Sequence, residues 1–301
     1  MLKEKLEKIV NWKPPLLGAE MIFGDMPGDK IKIGEDHLLK AEKIFPILVE
    51  ELKNYDNKVV VSVFGGSGVG KSEIASLLAN YLIKENIKSY IISGDNYPRR
   101  IPLYNDAERL SVFRANGLRG LLDSGCYNEE VQKKLEEYWQ KETDCNPETV
   151  LESCWLKYYQ KAGREALTKY LGTCKEQNYD EINDIIAKFK DGKEKIWLKR
   201  MGRTEEARWY SEIDFSDIEV LFIEWTHGGS IYLEGIDIPI LLNSTPQETK
   251  EHRRLRARDG KTDSAFTTMV LEIEQAKLDS VAKNAKIIIS KTNKLLNAED
   301  F

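Results

Sequence analysis

The sequence predicts an α/β protein in three layers: a five-stranded parallel sheet between helices, carrying a large helical insertion. Three observations predict it. A glycine-rich loop at residues 65–72 lies between an apolar run and an amphipathic segment. Apolar, β-branched runs recur at the spacing of strand–helix–strand units. More than a hundred residues without a convincing strand separate the second run from the third.

Residues 1–57 precede the first strand. Leu2, Leu6, Ile9 and Val10 share one helix face, and Leu38, Ala41, Phe45, Leu48 and Leu52 share another, which Pro46 is expected to interrupt. Between them, Trp12-Lys13-Pro14-Pro15 and Asp25-Met26-Pro27-Gly28-Asp29 signal loops. This segment is expected to cap the domain that follows or to form part of an oligomer contact, such as a homodimer.

The first strand is Val59-Val60-Val61-Ser62-Val63-Phe64, apolar enough to be buried on both faces. Residues 73–82 continue as a helix with a wide apolar face. Between them Gly65, Gly66, Ser67, Gly68, Val69, Gly70, Lys71 and Ser72 complete G-x-x-x-x-G-K-[ST], the phosphate-binding P-loop. Glycines there let backbone N–H groups turn inward around phosphates, and the helix N-terminus adds partial positive charge. Lys71 can reach the β- and γ-phosphates of ATP, and the Ser72 hydroxyl can ligate Mg²⁺. Strand, loop and helix together predict a P-loop NTPase core over residues 58–104 and 213–301.

Further strands are Ser89-Tyr90-Ile91-Ile92-Ser93, Ile218-Glu219-Val220-Leu221-Phe222-Ile223, Ile238-Pro239-Ile240-Leu241-Leu242 and Ala285-Lys286-Ile287-Ile288-Ile289. The stretch 105–212 reads as an almost wholly helical, acceptor-binding subdomain. Val131, Leu135 and Tyr138 share a face, Asn146-Pro147-Glu148 is an N-cap signal, and Ile182, Ile185, Ile186 and Phe189 follow helical spacing. Its aromatics Trp139, Trp155, Tyr158 and Tyr159 are expected in the core.

Lys+Arg (45) and Asp+Glu (50) nearly balance, giving a net charge of −5, which argues against general affinity for nucleic acid or an anionic membrane. Cys126, Cys145, Cys154 and Cys174 form no C-x-x-C pair and read as reduced, mostly packing thiols. With no secretion signal and no run near ~20 apolar residues, a soluble, cytoplasmic protein is expected.

Reactive groups of α/β sheets gather at the carboxyl ends of strands. Strand two ends at Asp95, which could take the proton of a hydroxyl attacking the γ-phosphate. Strand three ends at Glu224, where a carboxylate could orient Mg²⁺ directly or through water. Either alone could equally be a helix cap. Residues 251–261 are rich in arginine; the bland reading is a solvated basic helix, the functional one a lid bringing Arg254 and Arg258 to the transferring phosphoryl group. Arg99, Arg100, Arg109 and Arg114 hint at an anionic acceptor, and His227 is either a substrate contact or an incidental loop residue.

The P-loop, Gly94-Asp95-Asn96-Tyr97, Glu224 and Arg253-Arg254-Leu255-Arg256-Ala257-Arg258-Asp259 together resemble the uridine kinase/phosphoribulokinase family. The resemblance implies that Asp95 is the substrate base and that the arginine-rich segment belongs to a lid over ATP. It covers about half the chain. That family usually has Glu-Gly after strand three, whereas this chain reads Glu224-Trp225-Thr226-His227-Gly228-Gly229, and the insertion has no matching counterpart. Gly94-Asp95-Asn96, Arg99, Asn105-Asp106-Ala107-Glu108-Arg109 and Phe113-Arg114 are also similar to adenylylsulfate kinase, where such arginines face the anionic substrate; here Tyr97-Pro98 intervenes. The expectation is an ATP- and Mg²⁺-dependent kinase acting on a hydroxyl of a small, anionic metabolite of sugar, sugar phosphate or nucleoside type. The alternatives are adenylylsulfate kinase and a regulatory NTPase whose insertion binds a protein partner.

Overall fold

A computed structural model of the chain describes residues 2–16, 18, 20–256, 264–297 and 299. The elements in chain order begin with helices α1 (Leu2–Leu6) and α2 (Glu35–Leu52), then β1 (Val59–Gly65), α3 (Lys71–Lys84) and β2 (Ser89–Ser93). The insertion supplies α4 (Pro102–Asp123), α5 (Glu129–Gln140), α6 (Leu156–Tyr170) and α7 (Tyr179–Lys190), followed by strands β3 (Lys195–Met201) and β4 (Arg208–Asp214). The core resumes with β5 (Val220–Glu224), β6 (Ile238–Asn243), α8 (Lys250–Arg256), α9 (Ala265–Val281), β7 (Ile287–Ser290) and β8 (Leu295–Leu296).

The main sheet has the order β2-β5-β1-β6-β7-β8. Its first five strands are parallel, and the two-residue β8 adds an antiparallel edge beyond the five expected strands. Counting only parallel strands in chain order, the arrangement is 2-3-1-4-5, and with helices on both faces this is a P-loop NTPase fold. Every residue of β1 and β5 is buried, as parallel strands covered on both sides require. Alternation along β1 divides the two cores. Val59, Val61 and Val63 pack with α1, α2 and α3, whereas Val60 faces Ile182, Ile186 and Phe189 of α7.

Three elements depart from the sequence expectation. Pro46 does not interrupt α2, which continues to Leu52 because Phe45, Leu48 and Leu52 all bury against the core; that burial outweighs the ~3 kcal/mol penalty of an interior proline. The insertion is not wholly helical, since β3 and β4 pair as an antiparallel hairpin. Two of the four thiols, Cys154 and Cys174, are exposed rather than packed. Within the insertion α4 and α6 approach so closely that a Cβ on Gly117 would fall 2.5 Å from the Tyr159 ring. Among the described residues no helix is long and apolar enough to cross a membrane.

Register decides what meets at the carboxyl edge. Glu224 of β5 stands level with Val63 of β1 on one side and with Ser93 of β2 on the other. β2, β5 and β1, three neighbouring strands at one side of the sheet, therefore end in one row.

Candidate active site

The P-loop leaves β1 at Gly65, where a Cβ would collide with the Leu242 carbonyl at 2.5 Å. Gly68 and Gly70 follow with φ of 76° and 98°, the left-handed region that favours glycine. Gly70 is the N-cap of α3, so the loop runs directly into a helix N-terminus. Lys71 Nζ donates to the Gly66 carbonyl at 3.0 Å, which folds the side chain back over its own loop.

Ser72, the next residue, donates from Oγ to Glu224 Oε2 at 3.1 Å. Ser93 at the end of β2 donates to the other oxygen of the same carboxylate. Glu224 is buried, and that burial, with the negative charge of Asp95 next, raises its carboxyl above the ordinary range against the two hydroxyl bonds and the charge of Lys71. Asp95 itself is exposed, in the one-turn 3₁₀ helix Gly94–Asn96 that follows β2. Lys71, Ser72, Asp95 and Glu224 thus converge at the row of strand ends. Gly94 is dictated by its neighbour, because a Cβ there would lie 2.0 Å from Trp225 Cγ.

The insertion brings charge to the same place, already paired. Arg109 of α4 donates to Glu176 at 2.5 Å and lies 3.6 Å from Glu274 of α9. Glu176 is fully buried and also accepts the Gly172 N–H at 2.6 Å. His227 lies against this cluster; burial pushes its imidazole down to about 4, although Glu176 pulls the other way. Its ring stands edge-on to Trp225, 5.2 Å between centroids. Arg114 points elsewhere: it bonds Asp144 at 3.0 and 3.1 Å and stacks on Trp139, inside the insertion.

Arg99 donates to the Cys174 carbonyl and lines a cavity of about 320 Å³ between the start of α7 and the hairpin. There Glu181 is shared by Asn178, Lys199 and Tyr210 at 2.7, 3.0 and 2.8 Å. Trp209 is exposed on β4 opposite Arg200.

Of the two arginines expected in a lid, Arg254 is exposed and pairs with Glu251 at 3.1 Å, and Arg258 lies outside the described residues. Their neighbour Arg253, part of the resembled segment, had no role of its own in the sequence reading. It is buried, donates to the Pro246 carbonyl at 2.8 Å and packs so near the loop that a Cβ on Gly68 would meet its Cγ at 2.9 Å. Sequence reasoning also gave no role to Asp25, whose carboxylate accepts the Ser93 N–H at the end of β2. The Arg253-Arg254 pair was a readable signal for the first; nothing local marked the second.

No family model matches the chain. Over 238 residues it is 38% identical to the bifunctional alpha-galactosidase/sucrose kinase of Mediterraneibacter gnavus, a match covering 79% of this chain and 20% of that protein. The chain therefore spans about a fifth of the length of the curated relative it matches. Among solved structures, D-glycerate 3-kinase from Cryptococcus neoformans var. grubii aligns with a TM-score of 0.49 at 12% identity, covering 88% of this chain and 99% of that one. A possible uridine kinase from Bacillus stearothermophilus aligns with a TM-score of 0.39 at 14% identity, covering 83% and 96%.

Proposed function

We propose that the chain is an ATP- and Mg²⁺-dependent kinase that phosphorylates a hydroxyl of a small, neutral, sugar-like acceptor. One observation carries this reading: Lys71, Ser72, Asp95 and Glu224 stand together at three adjacent strand ends. The curated relative joins a galactosidase to a sucrose kinase by name, and a phosphate-binding loop belongs with the kinase of such a pair. Within P-loop kinases we favour the uridine kinase/phosphoribulokinase group, on the P-loop, Asp95 and Glu224.

The donor set fits Mg²⁺, a hard cation that takes oxygen ligands and few protein groups. Ser72 Oγ and the Glu224 carboxylate, 3.1 Å apart, would hold it, directly or through water. When bound it would neutralise phosphate charge. Among the described residues no three His, Cys, Asp or Glu side chains form a metal cluster. The chain's own groups do the rest. Loop N–H groups and Lys71 bind the phosphates, while Asp95 accepts the proton of the attacking hydroxyl. Arg253 of α8 packs beside the P-loop at Gly68, and Arg254 and Arg258 would meet the developing charge and help exclude water.

The sequence suggested an anionic acceptor from its arginines. In the fold Arg109 and Arg114 are met by buried carboxylates, which weakens the case for an anion and for adenylylsulfate kinase, although among the described residues Arg99 and Arg100 pair only with the exposed Asp180 and the half-buried Glu108. The cavity at Glu181 is lined by Arg99, Lys199 and Arg208 as well, so a neutral acceptor is favoured by the likeness to a sucrose kinase and not by that lining.

Purified chain with Mg-ATP should release ADP faster when a neutral sugar is added than with nucleosides or sugar phosphates. Asp95→Asn should lower that turnover by roughly 10²–10⁴-fold, the range for loss of a general base, while ATP affinity changes little. If no acceptor stimulates ADP release, or if Asp95→Asn turns over normally at saturating acceptor, the proposal fails.

A further inference from the structure

Asp25 lies seventy residues before Asp95, in the strap that joins α1 to α2, yet its carboxylate holds the chain on both sides of Asp95. Its Oδ1 accepts the Ser93 N–H at 2.7 Å and an Asn96 Nδ2–H at 3.0 Å. Its Oδ2 accepts from Arg200 Nη1, on the hairpin, at 2.7 Å. The two residues it grips have second partners. Ser93 donates its hydroxyl to Glu224, and Asn96 Oδ1 accepts the Met201 N–H of the hairpin at 2.9 Å. Arg200 also donates to the Tyr90 hydroxyl at 3.0 Å. The ion pair is shielded, with side-chain exposures of 8% for Asp25 and 9% for Arg200, so water competes little for it.

The strap is itself fixed. Asn80 of α3 exchanges two hydrogen bonds with the backbone of Ile22, at 3.0 and 2.8 Å. Gly24 runs so near the site that a Cβ there would rest 3.6 Å from Glu224 Oε1. Covering the edge strand β2 would need only backbone or apolar contacts. A buried carboxylate shared by four donors from two other segments, the Tyr90 hydroxyl being the fourth at 3.5 Å, does something more specific: it sets where the turn stands.

We propose that Asp25 is a positioning residue for phosphoryl transfer, fixing the turn that carries Asp95 together with the Ser93 hydroxyl on Glu224, and tying both to the hairpin. This rests on the kinase reading above. Misplacing a reacting group by about 1 Å can cost on the order of 10²-fold in rate, so a residue that never touches substrate can govern turnover.

Two variants separate its two sides. Asp25→Asn keeps an oxygen for Ser93 and Asn96 but turns an amide N–H₂ toward Arg200; Asp25→Ala removes both grips. Asp25→Ala should lower kcat by roughly 10- to 100-fold at saturating ATP and acceptor, with the Kd for an ATP analogue within about twofold of wild type. Asp25→Asn should fall between the two. Hydrogen exchange of the 93–97 amides should rise about tenfold in Asp25→Ala and much less in Asp25→Asn, by the loss of one local set of hydrogen bonds. Unchanged kcat in a folded Asp25→Ala protein, or ATP affinity falling in step with kcat, would overturn the proposal. Should Asp25→Ala not fold, wild-type kcat in Asp25→Asn would overturn it equally. If the wild-type chain phosphorylates nothing, the kinase reading falls and the catalytic part of this proposal with it, while the exchange data still decide whether Asp25 holds the turn.

Discussion

The P-loop and the insertion meet at the carboxyl ends of the strands but are made of different material. The P-loop half is backbone: glycines at positive φ, a helix N-terminus and one lysine folded over its own loop. The insertion half is side chain against side chain, with Arg109 held by Glu176 and Glu274, and Arg114 by Asp144. The positive charge of Lys71 in the first half meets only a backbone carbonyl in its hydrogen bonds among the described residues, and under the proposed function it is left for phosphate. A positive charge in the second already has its counter-charge inside the protein, and removing it strands a buried carboxylate.

The sharpest way to break that contrast is to delete one cation from each half. Arg109→Ala should cost about 3–5 kcal/mol of stability by urea denaturation, because it leaves buried Glu176 without its main partner. Lys71→Ala should leave stability within about 0.5 kcal/mol, as for an ordinary loop residue, and instead lower ATP-analogue affinity. If Arg109→Ala is nearly neutral to stability and only raises the acceptor KM, its guanidinium is a ligand contact after all and the contrast fails.

The same contrast explains what could be read from the sequence. The P-loop, Asp95 and Glu224 were legible because each is local: a motif of eight residues, or a carboxylate ending an apolar run. Five parallel strands were legible for the same reason, with bounds shifted by a residue or two. The pairing of Arg109 was not, since Glu176 is 67 residues away and Glu274 comes from α9. The hairpin was obscured because Trp197, Trp209 and Tyr210 stay exposed, which blurs the alternation that Ile196 and Leu198 otherwise show. Asp25 read as part of a loop signal, and nothing near it in sequence pointed to Ser93, Asn96 or Arg200.

A smaller effect tests the seam between the halves. Trp225 stands where the resembled family usually has glycine, and it packs on Gly94. Gly94→Ala should cost roughly 1–3 kcal/mol, the usual penalty for overpacking, and should also slow turnover, since Asp95 is the next residue. Trp225→Ala is destabilising by itself, but the double variant should be at least about 1 kcal/mol more stable than the sum of the two predicts, as for residues in direct contact. Strict additivity in a double-mutant cycle would mean that the chain relaxes around the new methyl group and that Gly94 is not fixed by Trp225.

The smallest expected effect concerns Asp25, which lies between the two designs: an ion pair like those of the insertion, bonded to a turn of the core. Burial pushes its carboxyl up to about 6 from the ordinary 3.8, although Arg200 and the Ser93 N–H oppose this; the Tyr90 and Tyr97 hydroxyls also feel its charge. Between those values the folded protein keeps a proton that the unfolded chain has released, so stability falls as pH rises from 3.8 to about 6 and levels off above. Asp25→Asn carries no such proton. Its melting temperature relative to wild type should therefore climb over that window and stay flat from pH 6.5 to 8, in thermal denaturation at constant ionic strength. The opposite slope, with wild type gaining on the variant as pH rises, would mean that Arg200 outweighs burial. Asp25 would then be an ionised clamp of the same kind as Glu176, and the boundary between the two halves of the site would run through the strap rather than along the sheet edge.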